Sequence, residues 1–81
     1  MQHSPIKYAN AADDIVTEIC KARVKHAPMR GPHEGYAVLL EEVDELWAEV
    51  KAQKFDKEKA RKEAIQIAAM ALAFAVEVCE T

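Results

Sequence analysis

The stretch "LLEEVDELWAEVKAQ", residues 39–53, decides how this chain folds. Its apolar residues recur every three or four positions, which is the period of an amphipathic α-helix. Read that way, it buries Leu39, Leu40, Val43, Leu46, Trp47 and Val50 on one face. Glu41, Glu42, Asp44, Glu45 and Glu49 share the stretch, and no cation appears in it before Lys51. Glu42 and Glu45 stand one turn apart beside the apolar face. A solvated helix surface normally mixes signs, so these acids ask for a reason.

Outward from this stretch the chain reads as three helices. Gly31 is a tolerable N-cap, Pro32 suits a first turn, and Glu34 is favoured there by the helix dipole, so this helix runs from about Gly31 to Gln53. "APMRGPH" before it is a loop. An earlier helix fits Tyr8 to His26, with Tyr8, Ala12, Ile15, Ile19 and Ala22 on one face. Residues 1–7 form a loose lead-in, where Ser4-Pro5 offers an alternative helix start. After a turn at Lys54 and Phe55, Asp56 caps a third helix over about Lys57 to Glu80. From Ala64 to Cys79 only Gln66 and Glu77 are polar. Ile65, Ala68, Ala69, Leu72, Val76 and Cys79 make one apolar face of this helix; Ile67, Met70, Phe74 and Val78 make a second, nearly opposite. Such a helix is buried on both sides. Two short helices hardly cover it, so the second face is expected to meet another copy of the chain.

Bulk properties agree. With 81 residues, 51% of them hydrophobic, and only two glycines, the chain is predicted to be a single all-α domain, a three-helix chain within an oligomeric helical bundle. A net charge of −3 and a pI of about 5.6 exclude a general binder of polymeric nucleic acid. No signal pattern is visible, and the apolar run from Ala64 to Val76 is short and broken by Gln66; a cytoplasmic protein without a membrane partner is expected. Cys20 and Cys79 read as reduced core cysteines, and His3, His26 and His33 as surface histidines. There is no phosphate-binding glycine loop, zinc-ligand spacing or nucleophile elbow.

The acids gain meaning from the hairpin that the second and third helices would form. Glu45 lies nine residues before Lys54 and Glu63 nine after, so the pairs Glu42/Glu45 and Glu63/Gln66 come to the same level. Converging carboxylates repel unless protons or a cation intervene, and oxygen ligands suit Mg²⁺, or Mn²⁺ as an alternative. Glu41 is placed to join a second ion or a water. Lys51, Lys54, Lys57, Lys59, Arg61 and Lys62 put six of the eleven basic residues within twelve positions. A polyphosphate beside a metal needs such cations, so Lys51, Lys54, Lys57, Arg61 and Lys62 are candidate phosphate ligands.

"EEVDEL" followed by "EAIQ" resembles the MazG-like, all-alpha nucleoside triphosphate pyrophosphohydrolases, whose signature is EExxE on one helix and ExxD on the next. The resemblance covers roughly residues 34–76. It implies a bundle completed by dimerisation, often as tetramers, and Mg²⁺-dependent cleavage between the α and β phosphates of a nucleotide. By position it makes Glu42, Glu45 and Glu63 metal ligands and Glu41 the leading acid, holding a second ion or orienting water. Gln66 stands where the family has Asp, and it brings a carbonyl oxygen without charge. Two other readings stay open: a binding module of the same fold with a weakened site, and a purely structural helical oligomer.

Overall fold

In the computed structural model, described here for residues 4–80, the chain forms three helices, α1 (Pro5–Lys25), α2 (Pro32–Val50) and α3 (Lys57–Glu77). No strand occurs among the described residues. His3 and the first residues of the expected lead-in lie outside them. The rest of that lead-in is corrected: Ser4 is the N-cap of α1, its side chain accepting from the Lys7 amide, and Pro5 opens the helix. Pro5 lacks an N–H, but at the first position no intrahelical partner exists for one.

Capping chemistry also fixes the hairpin. Gly31 and Pro32 begin α2 as expected, though α2 ends at Val50, three residues before Gln53. Asp56 Oδ1 accepts from the backbone N–H groups of Glu58 (3.0 Å) and Lys59 (3.1 Å), satisfying two amides that α3 cannot pair internally. The five residues between α2 and α3 that precede this cap fold α3 back along α2.

α3 is the central element; α1 and α2 each pack on it and not closely on one another. Polar ties run up α1 and α3 in the same order, Asp14 to Arg61, Glu18 to Gln66 and Arg23 to Glu77, so these helices run in the same general direction. Core packing joins Met29, Ala69, Met70 and Ala73 to Ile15, Ile19 and Ala22 of α1 and Val38 and Leu39 of α2. α2 comes very close at Gly35: a Cβ there would lie 2.6 Å from Phe74 Cδ2 and 3.1 Å from Met29 Sδ. Only a residue without a side chain lets the Phe74 ring lie against the α2 backbone.

Arg23 makes two 2.6 Å hydrogen bonds to Glu77, and the Met29 amide donates to the same carboxylate at 3.0 Å. One acid therefore fastens the end of α1, the following loop and the end of α3. Arg23's hydrogen bonds hold the Glu77 carboxyl below its ordinary range, against the opposing effect of burial.

Several side chains sit elsewhere than their periodicity suggests. The apolar faces of α3 are covered unevenly: Met70 is buried and Phe74 and Val78 pack on the core, whereas on the other face Ala69 is fully buried but Leu72, Val76 and Cys79 are exposed. α1 and α2 straddle α3 on the Met70 side, which leaves the Leu72 side outermost. On α2, Leu39 and Leu46 are half-buried, but Leu40, Val43, Trp47 and Val50 are exposed. The apolar arc of α2 is wider than one neighbouring helix can cover. Trp47, at 57% exposure, is no core residue. Tyr8 and Ala12 are exposed on α1 although they share a helical face with Ile15, Ile19 and Ala22, and Cys20 and Cys79 are exposed free thiols, not core residues.

Candidate metal centre and cleft

Helical spacing and hairpin register bring Glu42, Glu45 and Glu63 together. One carboxylate oxygen from each lies within 4.8 Å of the other two, with Glu42 and Glu63 half-buried and Glu45 exposed. Glu63 Oε2 is buried and has no hydrogen-bond partner. Burial, then a neighbouring Glu45 carboxyl as proton-sharing partner and as charge, then the charges of Glu63 and Glu41, push Glu42 up to about 7. Glu63 is raised for the same leading reasons, burial first and Glu45 second, with Lys62 opposing. A carboxyl–carboxyl hydrogen bond needs one partner protonated. The bare Glu63 oxygen and the raised affinity for protons therefore describe one condition, a negative cluster short of positive charge.

That condition fits a divalent cation. Oxygens sharing one Mg²⁺ stand roughly 3 to 4 Å apart at about 2.1 Å from the ion, so small side-chain movements would complete such a ligand set. The fit is in the donor type and in the orphaned oxygen.

Beside the cluster, α1 and α2 form the walls of a cleft of about 580 Å³ with Gln66 and Met70 of α3 between them. Glu42 belongs to both the cluster and the cleft, and Glu41 lines the cleft one residue earlier. Lys21, Arg23, Lys25 and His26 line it from the α1 side. Arg23 is committed to Glu77, and Lys21 Nζ stands 3.8 Å from Glu18 Oε1. Lys25 makes no ion pair among the described residues, so its charge is free to meet an anion.

The structure distributes the sequence candidates unevenly. It gathers Glu42, Glu45 and Glu63, and it sets Glu41 and Gln66 on the cleft. Gln66 Nε2 donates to Glu18 Oε2 at 2.8 Å, an α1 contact that helical spacing within the hairpin does not reveal. Lys51, Lys54, Lys57, Arg61 and Lys62 do not line the cleft. Lys51 Nζ lies 5.9 Å from the Trp47 ring centroid, Arg61 binds Asp14 at 2.8 Å, and Arg61 and Lys62 border a smaller hollow of about 210 Å³. Of the cations that do line the cleft, Lys21 and Lys25 are not committed to a close ion pair as Arg23 is, and only their four-residue spacing on α1 signals them in the sequence.

Among the described residues no helix is long and apolar enough to cross a membrane. Compared with known protein families, with curated proteins and with solved structures, the chain finds no match.

Proposed function

We propose that this protein is a Mg²⁺-dependent nucleoside triphosphate pyrophosphohydrolase of the MazG-like kind. The observation that carries the reading is the convergence of Glu42, Glu45 and Glu63 around an orphaned buried oxygen, next to a cleft with cations on its far wall. A cleft of about 580 Å³ is within the usual range for small-molecule sites.

In this reading Glu42, Glu45 and Glu63 hold Mg²⁺, with Mn²⁺ as an alternative. The ion supplies neutralisation of phosphate oxygens and a more acidic bound water. Lys21 and Lys25 draw the polyphosphate into the cleft, and the basic residues around the hairpin turn, Lys51, Lys54, Lys57, Arg61 and Lys62, form an outer cationic margin. Glu41, exposed in the cleft, orients the attacking water and accepts its proton. The water oxygen bonds to phosphorus as the anhydride oxygen between the α and β phosphates leaves, giving a nucleoside monophosphate and pyrophosphate.

The active form in this reading is a homodimer or homotetramer. A folded chain of this mass usually exposes about 4,900 Å², whereas this one exposes 6395 Å². Its radius of gyration, 13.7 Å, exceeds the roughly 11.7 Å of a typical domain of this length. Leu72 and Val76 of α3, and the α2 stripe Leu40, Val43, Trp47 and Val50, offer the apolar surface for a second copy.

Pyrophosphate release from a panel of nucleoside triphosphates, with and without Mg²⁺, tests the activity. The expected result is Mg²⁺-dependent release that Glu45→Gln and Glu63→Gln abolish. Absence of release from every nucleotide would refute the enzymatic reading. The engagement of Gln66 with Glu18 favours one second reading, a module that binds nucleotide and metal without turnover. It predicts a nucleotide-induced rise in melting temperature without product.

A further inference from the structure

We propose that a second copy of this chain docks antiparallel on the open side of α3, about a two-fold axis beside Leu72. This gives a geometry to the oligomer of the reading above and rests on that part of it, not on the metal or the activity. α1 and α2 each pack on α3, and their contacts mark the sides they occupy. Gln66 and Glu77 are bonded to Glu18 and Arg23 of α1, and Phe74 lies against Gly35 of α2. The side left over carries Ala64, Ala68, Ala71 and Ala75 together with Leu72 and Cys79. All but Ala68 are exposed, and so is the neighbouring Val76. Gln66 and Glu77 are the only polar residues of this run, and both face α1, so the open side is free of charge over about 22 Å.

Area and charge name a second copy as the occupant. The 6395 Å² exposed by the chain exceeds that of a folded monomer of its mass by about 1,500 Å², and a standard interface takes roughly 800 Å² from each partner. Leu40, Val43 and Trp47 widen the patch, on the side of α2 turned from the cleft-lining Val38 and Glu41. An oppositely charged partner finds nothing here to pair with, whereas a face without charge meets itself without repulsion. One patch that pairs with itself does so about a two-fold axis. The alanines, with no side chain beyond Cβ, let two α3 backbones approach closely, and Leu72 stands at the middle of the run from Ala64 to Cys79. Direction follows from the ends. Parallel packing would set the basic start of α3, Lys57, Lys59, Arg61 and Lys62, beside its own copy; antiparallel packing sets it towards the negative end of the helix, where Glu80 is exposed. Ile65 then comes opposite Cys79 of the second copy, each seven residues from Leu72. The cleft, on the α1 side, stays open.

Disulfide capture in the full chain tests this register, with Cys20→Ser as background, the thiol oxidant diamide and non-reducing electrophoresis. Ile65→Cys should convert most of the chain into covalent dimers through the native Cys79, and adding Cys79→Ser should abolish the link. Leu72→Cys, at an exposed position, should link to its own counterpart in chains that also carry Cys79→Ser. If Ile65→Cys folds poorly, Leu72→Cys decides alone. In the Cys20→Ser background by itself Cys79 should stay unlinked, because the antiparallel register holds its two copies about 21 Å apart. A link there means parallel packing and overturns the proposal. A dimeric or tetrameric mass by light scattering, with no link from folded Ile65→Cys or Leu72→Cys, overturns it too and leaves the oligomer of the reading above standing. A chain that stays monomeric at micromolar concentration sinks both, and the face then belongs to a helix of another protein.

Discussion

Raising the pH from about 5 to about 8 should destabilise the metal-free protein, the opposite of what paired carboxylates do. The cause is Glu42, whose affinity for a proton rises from 4.5 in the unfolded chain to about 7 in the cluster. Below pH 4.5 both states are protonated and the stabilisation is complete. Between 4.5 and about 7 the unfolded chain has released the proton while the folded chain keeps it, so stability falls until the folded group ionises as well. Taken at face value the shift corresponds to about 3.4 kcal/mol. Glu42 remains partly open to water, and screening reduces this to roughly 1–2 kcal/mol. For a domain of this length that is a fall of roughly 5–10 °C in melting temperature. Glu63 acts in the same direction. Glu77 and Glu34, held low by Arg23 and Arg30, act in the opposite sense but only below pH 4.5, outside this window. Circular-dichroism melts across the pH range, in chelator and in millimolar Mg²⁺, provide the measurement. The chelator profile should slope downward, while Mg²⁺ should flatten it by taking the proton's place and raise the melting temperature at pH 8. Glu42→Gln should flatten the chelator profile on its own. A level metal-free profile in the wild type, or an unchanged slope in Glu42→Gln, would refute the reasoning.

Gly35→Ala should lower stability by about 1–2 kcal/mol, since displacing the Phe74 ring outweighs the gain of about 1 kcal/mol in helix propensity; an unchanged or raised melting temperature would show that the ring yields freely. Glu77→Gln should cost about 2–3 kcal/mol by leaving Arg23 half-buried without its counter-charge, measured by urea unfolding at neutral pH. Light scattering should return the mass of a dimer or tetramer, and Val43→Glu with Leu72→Glu should yield monomers with their helices intact. A monomeric wild type at micromolar concentration would remove the argument from exposed apolar surface.

The hairpin was legible because its determinants are local. The 3.6-residue period over residues 39–50, the Asp56 cap and the equal spacing of Glu45 and Glu63 from Lys54 suffice to bring three acids together. The faces of α3 were not legible, since both are apolar and periodicity does not say which one two neighbours will choose. Trp47 fails for a related reason: it shares an arc with Leu39 and Leu46, and one helix covers only part of that arc. The bond between Gln66 and Glu18 could not be found from spacing within the hairpin. Its two ends are 48 residues apart, and only the placement of α1 along α3 joins them.

The attachment of α1 has a consequence for how the molecule comes apart. α1 has no buried residue, and its ties to α3 include a half-buried row of Ile15, Ile19 and Ala22, the Gln66–Glu18 hydrogen bond and the ion pairs Arg23–Glu77 and Arg61–Asp14. α2 and α3, by contrast, share a capped turn and the close approach at Gly35. Molar salt, which screens the ion pairs and strengthens apolar burial, therefore loosens the two seams unequally. The α1 amides should exchange with deuterium first, at a cost well below global unfolding, while the hairpin stays closed. In that half-open state Glu42, Glu45 and Glu63 keep one another's company, but the cleft has lost a wall. In the proposed reading, ion capture and nucleotide recognition would thus fail at different points along one unfolding coordinate.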